Sequence, residues 1–129
     1  MTERRDGPRT LVLVDDQPEF LEIARARLTR DATLAVVGEA TSGEAAVALV
    51  LQLEPGPEAV LVDVEMPGLD GFETARRLRA LAPGVRVILT SASSNTGYCA
   101  AATGVGAAFL AKRHLTAEAV LRLLDAARQ

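Results

Sequence analysis

Five short apolar runs, each followed by a stretch of different periodicity, constrain the fold of this chain more than any other feature. The runs are Thr10–Val14, Leu34–Ala40, Ala59–Asp63, Val85–Thr90 and Ala107–Ala111. Runs of this length with almost no polar alternation suit strands covered on both faces. Between them the apolar residues recur at helical spacing. Phe20, Ile23, Ala24 and Leu28 fall on one face; so do Ala45, Ala46, Leu49 and Leu53; Phe72, Ala75, Leu78 and Ala82; and Val120, Leu123, Leu124 and Ala127. A strand followed by a helix, five times over, predicts a parallel sheet with helices on both sides, because each parallel connection must cross over the sheet and does so right-handedly.

The punctuation agrees with this division. Pro18 suits a first helical turn, where its missing N–H costs nothing. Ser42 and Thr116 can cap the helices that follow them, and Asp70 with Glu73 has the form of a capping box. Pro55-Gly56-Pro57 and Pro83-Gly84 stop the second and third helices. The weakest helix is expected over Ser91–Thr103, a stretch rich in serine, threonine, asparagine and glycine. The expected architecture is a doubly wound α/β sandwich with a five-stranded sheet in the order 2-1-3-4-5. Sheets of this kind bind ligands at the carboxyl ends of their strands, beside the switch in strand order.

The chain of 129 residues fits one domain, read as a polar lead-in over 1–9 and a folded unit over 10–129. A formal charge of −3 supplies no electrostatic footprint for nucleic acid or an anionic membrane. With one cysteine there is neither an internal disulfide nor a thiolate zinc cluster. No apolar run approaches the roughly 20 residues that span a bilayer, and the charged first residues do not resemble a secretory signal. A cytoplasmic domain without membrane or direct nucleic-acid contact is the expectation.

Polar residues stand where the strands run out: Asp15 and Asp16 after the first, Asp63 at the end of the third, Ser91 after the fourth, Lys112 after the fifth. With strands one and three adjacent, three carboxylates would crowd one pocket. At about 5 Å and an effective dielectric near 20, each like-charge pair costs on the order of 3 kcal/mol. A divalent cation relieves that cost, and an all-oxygen ligand set suits a hard one, Mg²⁺ or else Mn²⁺. A cation, a lysine and a hydroxyl around a carboxylate make a site for phosphoryl transfer, with Asp63 as the nucleophile.

The acidic pair Asp15-Asp16, the loop D-x-x-M-P-x-x-D-G from Asp63 to Gly71, Ser91-Ala92 after an apolar strand, and Lys112 after Phe109-Leu110-Ala111 resemble the receiver domain of bacterial two-component response regulators. The resemblance runs from about Thr10 to Ala127. It implies a flavodoxin-like (βα)₅ fold and Asp63 as phosphoacceptor, with Mg²⁺ held by Asp16, Asp63, the main-chain carbonyl of Glu65 and, through water, Asp15. It further implies that Lys112 contacts the phosphoryl group and that Ser91 and Phe109 form a switch pair. The implied partners are a cognate histidine kinase or phosphotransfer protein and a downstream protein target. A homodimer formed on phosphorylation is a further implication. Catalysis would be confined to the chain's own phosphorylation and dephosphorylation.

One position departs from the family. Arg113 follows the lysine where a proline joined by a cis bond is common; a cis bond before a non-proline residue costs about 2.5–4 kcal/mol, which leaves the geometry of the Lys112–Arg113 bond open. The side chain of Glu65 is expected to face solvent, His114 to lie in a surface loop, and Arg76, Arg77 and Arg79 to form a solvated face. Because the sequence stops at Gln129, shortly after the last helix, a single-domain receiver acting through protein contacts is the first reading. The alternatives are the receiver portion of a DNA-binding transcriptional regulator, and a Mg²⁺-dependent phosphatase in which Glu65 would serve as general acid and base.

Overall fold

Leu11, Val12, Leu13 and Val14 are all buried. Since successive side chains of a strand leave on opposite faces, both sides of this segment must be covered. The computed structural model describes residues 7–93, 95 and 97–126 and shows how. Five strands, β1 (Arg9–Val14), β2 (Leu34–Ala40), β3 (Ala59–Asp63), β4 (Arg86–Ser91) and β5 (Ala108–Ala111), alternate with five helices, α1 (Pro18–Leu28), α2 (Gly43–Gln52), α3 (Gly71–Leu81), α4 (Gly97–Gly104) and α5 (Ala117–Ala126). The sheet is parallel throughout, in the order β2-β1-β3-β4-β5, as the sequence pattern predicts.

Two apolar layers result. Val12, Val14, Val60, Val62 and Leu89 face one side, against Ala46 and Val50 of α2, Ala75 and Leu78 of α3, and Ala102 of α4. Leu11, Leu13, Leu61 and Ile88 face the other, against Leu21, Ala24 and Leu28 of α1 and Val120 and Leu124 of α5. The helices start where the capping residues predict. Ser42 Oγ accepts from the Ala45 N–H at 3.1 Å, Asp70 Oδ1 from Glu73 at 2.9 Å, and Thr116 Oγ1 from Ala119 at 3.1 Å.

The details depart from the sequence reading where tertiary contacts override local pattern. Ile23, expected on the inner face of α1, is 46% exposed; Leu21 is the buried residue, because the buried face of α1 follows Leu21, Ala24 and Leu28. Ala45 likewise faces outward while Ala46 and Val50 are buried. The capping box at Asp70 is half made: the carboxylate of Glu73 is turned to Arg76 at 3.0 Å and Arg77 at 3.8 Å. Arg76, Arg77 and Arg79 are all exposed, as expected of a solvated face, and the Arg79 guanidinium lies where any side chain on Gly106 would go. Arg9 is not part of a lead-in but opens β1, held by ion pairs to Glu58 and Asp125. In β2 the register against β1 slips between Leu11 and Val12, so Val37 bulges out and is 42% exposed. Ala127, placed on the inner face of the last helix, lies outside the described residues. Among the described residues, no helix is long and apolar enough to cross a membrane.

Candidate functional site

The switch in strand order sets the position of the acidic residues. β1 pairs with β2 on one side and β3 on the other, with Val14 level with both Ala40 and Val62. The Asp15 N–H continues the ladder to Ala40 O at 3.1 Å, which turns the Asp15 side chain inward at 1% exposure. Its Oδ1 accepts the Gln17 N–H at 2.9 Å at the entry to α1. Asp63 is the last residue of β3, level with Thr90 of β4, and is 5% exposed. One carboxylate oxygen each from Asp15, Asp16 and Asp63 lie within 4.8 Å of one another.

The loop after Asp63 is shaped by hydrogen bonds and two glycines. Val64 donates to Thr90 O at 2.8 Å, and Gly71 donates back to Val64 O at 2.9 Å. Gly68 has φ +74°, a left-handed conformation that side chains disfavour. At Gly71 a Cβ would stand 2.5 Å from Asp63 O and 2.7 Å from Val64 Cα. The chain can pass that close to its own backbone only at glycine.

Lys112 reaches the cluster from the end of β5. Its ammonium is 2.7 Å from Asp15 Oδ2 and 3.7 Å from Asp63 Oδ1, and it lies 4.1 Å from the centroid of the Phe20 ring, a cation–π contact that fixes a flexible side chain. Phe20 is thus a positioning contact that its helical periodicity concealed as an ordinary core residue. The Lys112–Arg113 bond is trans, as the cost of a cis bond without proline dictates, and Lys112–His114 form a 3-10 turn. His114 is exposed, as expected of a surface loop residue.

Three carboxylates and one ammonium leave a negative excess in a buried place. Burial pushes the Asp63 carboxyl up to about 6, with the charges of Asp15 and Glu65 adding to the rise and Lys112 and the Glu65 N–H opposing it. Asp63 Oδ1 and Asp15 Oδ2 have no hydrogen-bond partner among the described residues; Lys112 meets Asp15 Oδ2 as an ion pair without hydrogen-bond alignment. Clustered oxygen-only donors, two of them buried and short of partners and the half-buried Asp16 open to solvent, fit a hard divalent cation. The arrangement can therefore lower the charge on Asp63 in two ways, by Lys112 or by a metal.

Ser91 is not beyond β4 but its last residue, level with Ala111 and fully buried. Its hydroxyl donates to Glu65 Oε1 at 3.0 Å and accepts the Ser93 N–H at 2.9 Å. The other carboxylate oxygen of Glu65 accepts from the Tyr98 hydroxyl at 2.8 Å, a contact that raises the Tyr98 pKa. Glu65 is exposed, as expected, and both of its carboxylate oxygens are nevertheless hydrogen-bonded. Phe109, in β5, is half-buried, its ring 6.0 Å from that of Tyr98, which is 5.7 Å from Phe72. Tyr98 had no signal in the sequence: it sits in the segment of weakest helical character, 33 residues from Glu65.

Residues 11–124 match the response regulator receiver domain family. The chain is 36% identical over 119 residues to the probable transcriptional regulatory protein NarL of Mycobacterium tuberculosis, covering 92% of this chain and 54% of that protein. It is 33% identical over 88 residues to the nitrate/nitrite response regulator protein NarL of Escherichia coli K12, covering 68% of this chain and 40% of the other. It is also 38% identical over 101 residues to a protein-glutamate methylesterase/protein-glutamine glutaminase of a Nocardioides species, 78% of this chain against 27% of the enzyme. The chain thus spans about half or less of the length of these relatives. The solved receiver domain of the M. tuberculosis NarL superimposes with a TM-score of 0.81 at 34% identity, over 92% of this chain and 97% of that one. With its sheet order, its acidic cluster at the switch point and its match to the family over nearly all its length, the chain belongs to the receiver domains of two-component response regulators.

Proposed function

We propose that Asp63 is the phosphoacceptor and that the chain is a signalling switch fed by a histidine kinase or phosphotransfer protein. A carboxylate oxygen of Asp63 attacks phosphorus, the new O–P bond forms as the P–N bond of a phosphohistidine breaks, and the imidazole leaves with the electron pair and takes up a proton. Lys112, held by Phe20 and by Asp15, is within reach to bind a phosphoryl oxygen, and the Ser91 hydroxyl, once it leaves Glu65, would donate to another. Asp15, Asp16, Asp63 and the carbonyl of Glu65 would hold Mg²⁺. When bound, the ion neutralises charge on the transferring group and on the carboxylates around it. The observation that carries this reading is the cluster of Asp15, Asp16 and Asp63, with the first and last buried and each holding a carboxylate oxygen without a hydrogen-bond partner, and Lys112 against them.

The output is a protein surface whose arrangement depends on that modification, formed by α4, β5 and α5. The likeness to NarL proteins favours a second reading of the output, in which this receiver serves a DNA-binding transcriptional regulator. The phosphatase reading needs a free carboxylate at Glu65, and both of its oxygens are taken by Ser91 and Tyr98. Incubation with Mg²⁺ and acetyl phosphate tests the proposal. One phosphoryl adduct, stable in acid and labile in base, is expected by intact mass, absent with EDTA and absent in Asp63→Asn. An adduct on the Asp63→Asn protein, or none on the natural one, would overturn it.

A further inference from the structure

The Ser91 hydroxyl carries a single proton, and in this structure it is given to Glu65 Oε1. Its acceptor side is also filled, by the Ser93 N–H. Phosphoryl oxygens only accept hydrogen bonds, so Ser91 can serve a phosphoryl group on Asp63 only by leaving Glu65. What holds Glu65 in place is Tyr98, whose hydroxyl binds the second carboxylate oxygen at 2.8 Å. Both bonds end on an anion, the stronger kind.

We propose that Tyr98 is a positioning residue that, through Glu65, latches the Ser91 hydroxyl away from Asp63 and so opposes phosphorylation. The proposal rests on the phosphoacceptor reading of Asp63. Three groups from separate elements make the latch: the loop after β3, the end of β4, and α4. Its opening has a built-in drive. Phosphoryl charge arriving on Asp63, two residues from Glu65, repels the Glu65 carboxylate, and the loss of the Ser91 proton leaves that carboxylate one partner fewer. Movement of Glu65 then frees the Tyr98 ring, which lies between Phe72 and Phe109. The hydroxyl of Ser91 and the ring of Phe109 are thereby coupled through Tyr98. The shortness of α4, eight residues with glycine at each end, gives it little stability of its own and makes it an element that a single lost hydrogen bond can shift.

Tyr98→Phe removes the latch bond and keeps the ring between Phe72 and Phe109, so the variant retains its packing. The readout is the affinity of the full chain for beryllofluoride with Mg²⁺, a phosphoryl stand-in, by calorimetry. Tyr98→Phe should bind about tenfold tighter than the natural chain, the size expected when one charge-assisted hydrogen bond no longer opposes the bound state. In a Glu65→Ala background, where Ser91 is already free, the same substitution should change nothing. Equal or weaker binding by Tyr98→Phe overturns the latch, and so does a tenfold effect that persists without Glu65, because Tyr98 would then act by another route. If the natural chain itself binds no beryllofluoride while remaining folded, the phosphoacceptor reading fails and the latch falls with it.

Discussion

Asp63 carries a conflict between folding and function. Its carboxyl pKa rises on folding from 3.8 to about 6, chiefly through burial. A group of this kind lends stability that is complete below its unfolded value and is lost as the pH climbs through the folded one. Without divalent ions the ionised Asp63 therefore costs the protein on the order of 3 kcal/mol near neutral pH. Asp63→Asn, uncharged at every pH, should melt several degrees above the natural chain in EDTA near neutral pH, and the gap should close below about pH 4. Equal melting temperatures at neutral pH would mean that the acid is not under strain. The identities of Asp15, Asp16, Asp63, Ser91 and Lys112 as site candidates were legible because each stands where an apolar run stops. The roles of Phe20 and Tyr98 were not, since a core aromatic and an aromatic serving a polar group look alike until the fold brings Lys112 and Glu65 to them.

Among the elements, the strands were the most legible, because burial on both faces leaves little room for any pattern but an apolar run. Helix faces were read less well. Ile23 and Leu21, or Ala45 and Ala46, are only one or two residues apart in an apolar-rich stretch, and the choice of which faces inward is made by the sheet beneath. The bulge at Val37 was invisible, since an extra residue in a strand leaves the hydrophobic run intact. The loop between β3 and α3 was legible in outline through Pro67 and Gly68. Only the structure shows that Gly71 is pinned against the carbonyl of Asp63. Gly71→Ala should destabilise the chain by about 1–3 kcal/mol, as over-packing against rigid atoms does, and should slow adduct formation by moving Asp63. Gly84→Ala is the control, because a Cβ there meets nothing within 4 Å, and its melting temperature should stay close to that of the natural chain. A Gly71→Ala protein as stable and as reactive as the control would show that the loop has room the structure does not indicate.

At the scale of the whole molecule, the doubly wound topology does the work that no local motif does. It brings residues 15, 63 and 112 to one point and hangs the surface of α4 on the same point through Glu65. A cation that binds only the folded cluster must stabilise the entire domain, by about 2.7 kcal/mol at a hundredfold excess over its dissociation constant. Mg²⁺ should accordingly raise the melting temperature of the natural chain and have a much smaller effect on Asp16→Ala; an equal rise in both would place the ion elsewhere. The fold and its active end followed from the alternation of runs and from what stands at their ends, whereas the coupling between that end and α4 depends on side chains distant in sequence. The most direct test of the account is the position of the modification. After reaction with acetyl phosphate and Mg²⁺, borohydride reduction converts an aspartyl phosphate to homoserine, and peptide mass spectrometry then locates it. The account predicts homoserine at position 63 alone; homoserine at position 15 or 16, or at any other aspartate instead, would contradict it.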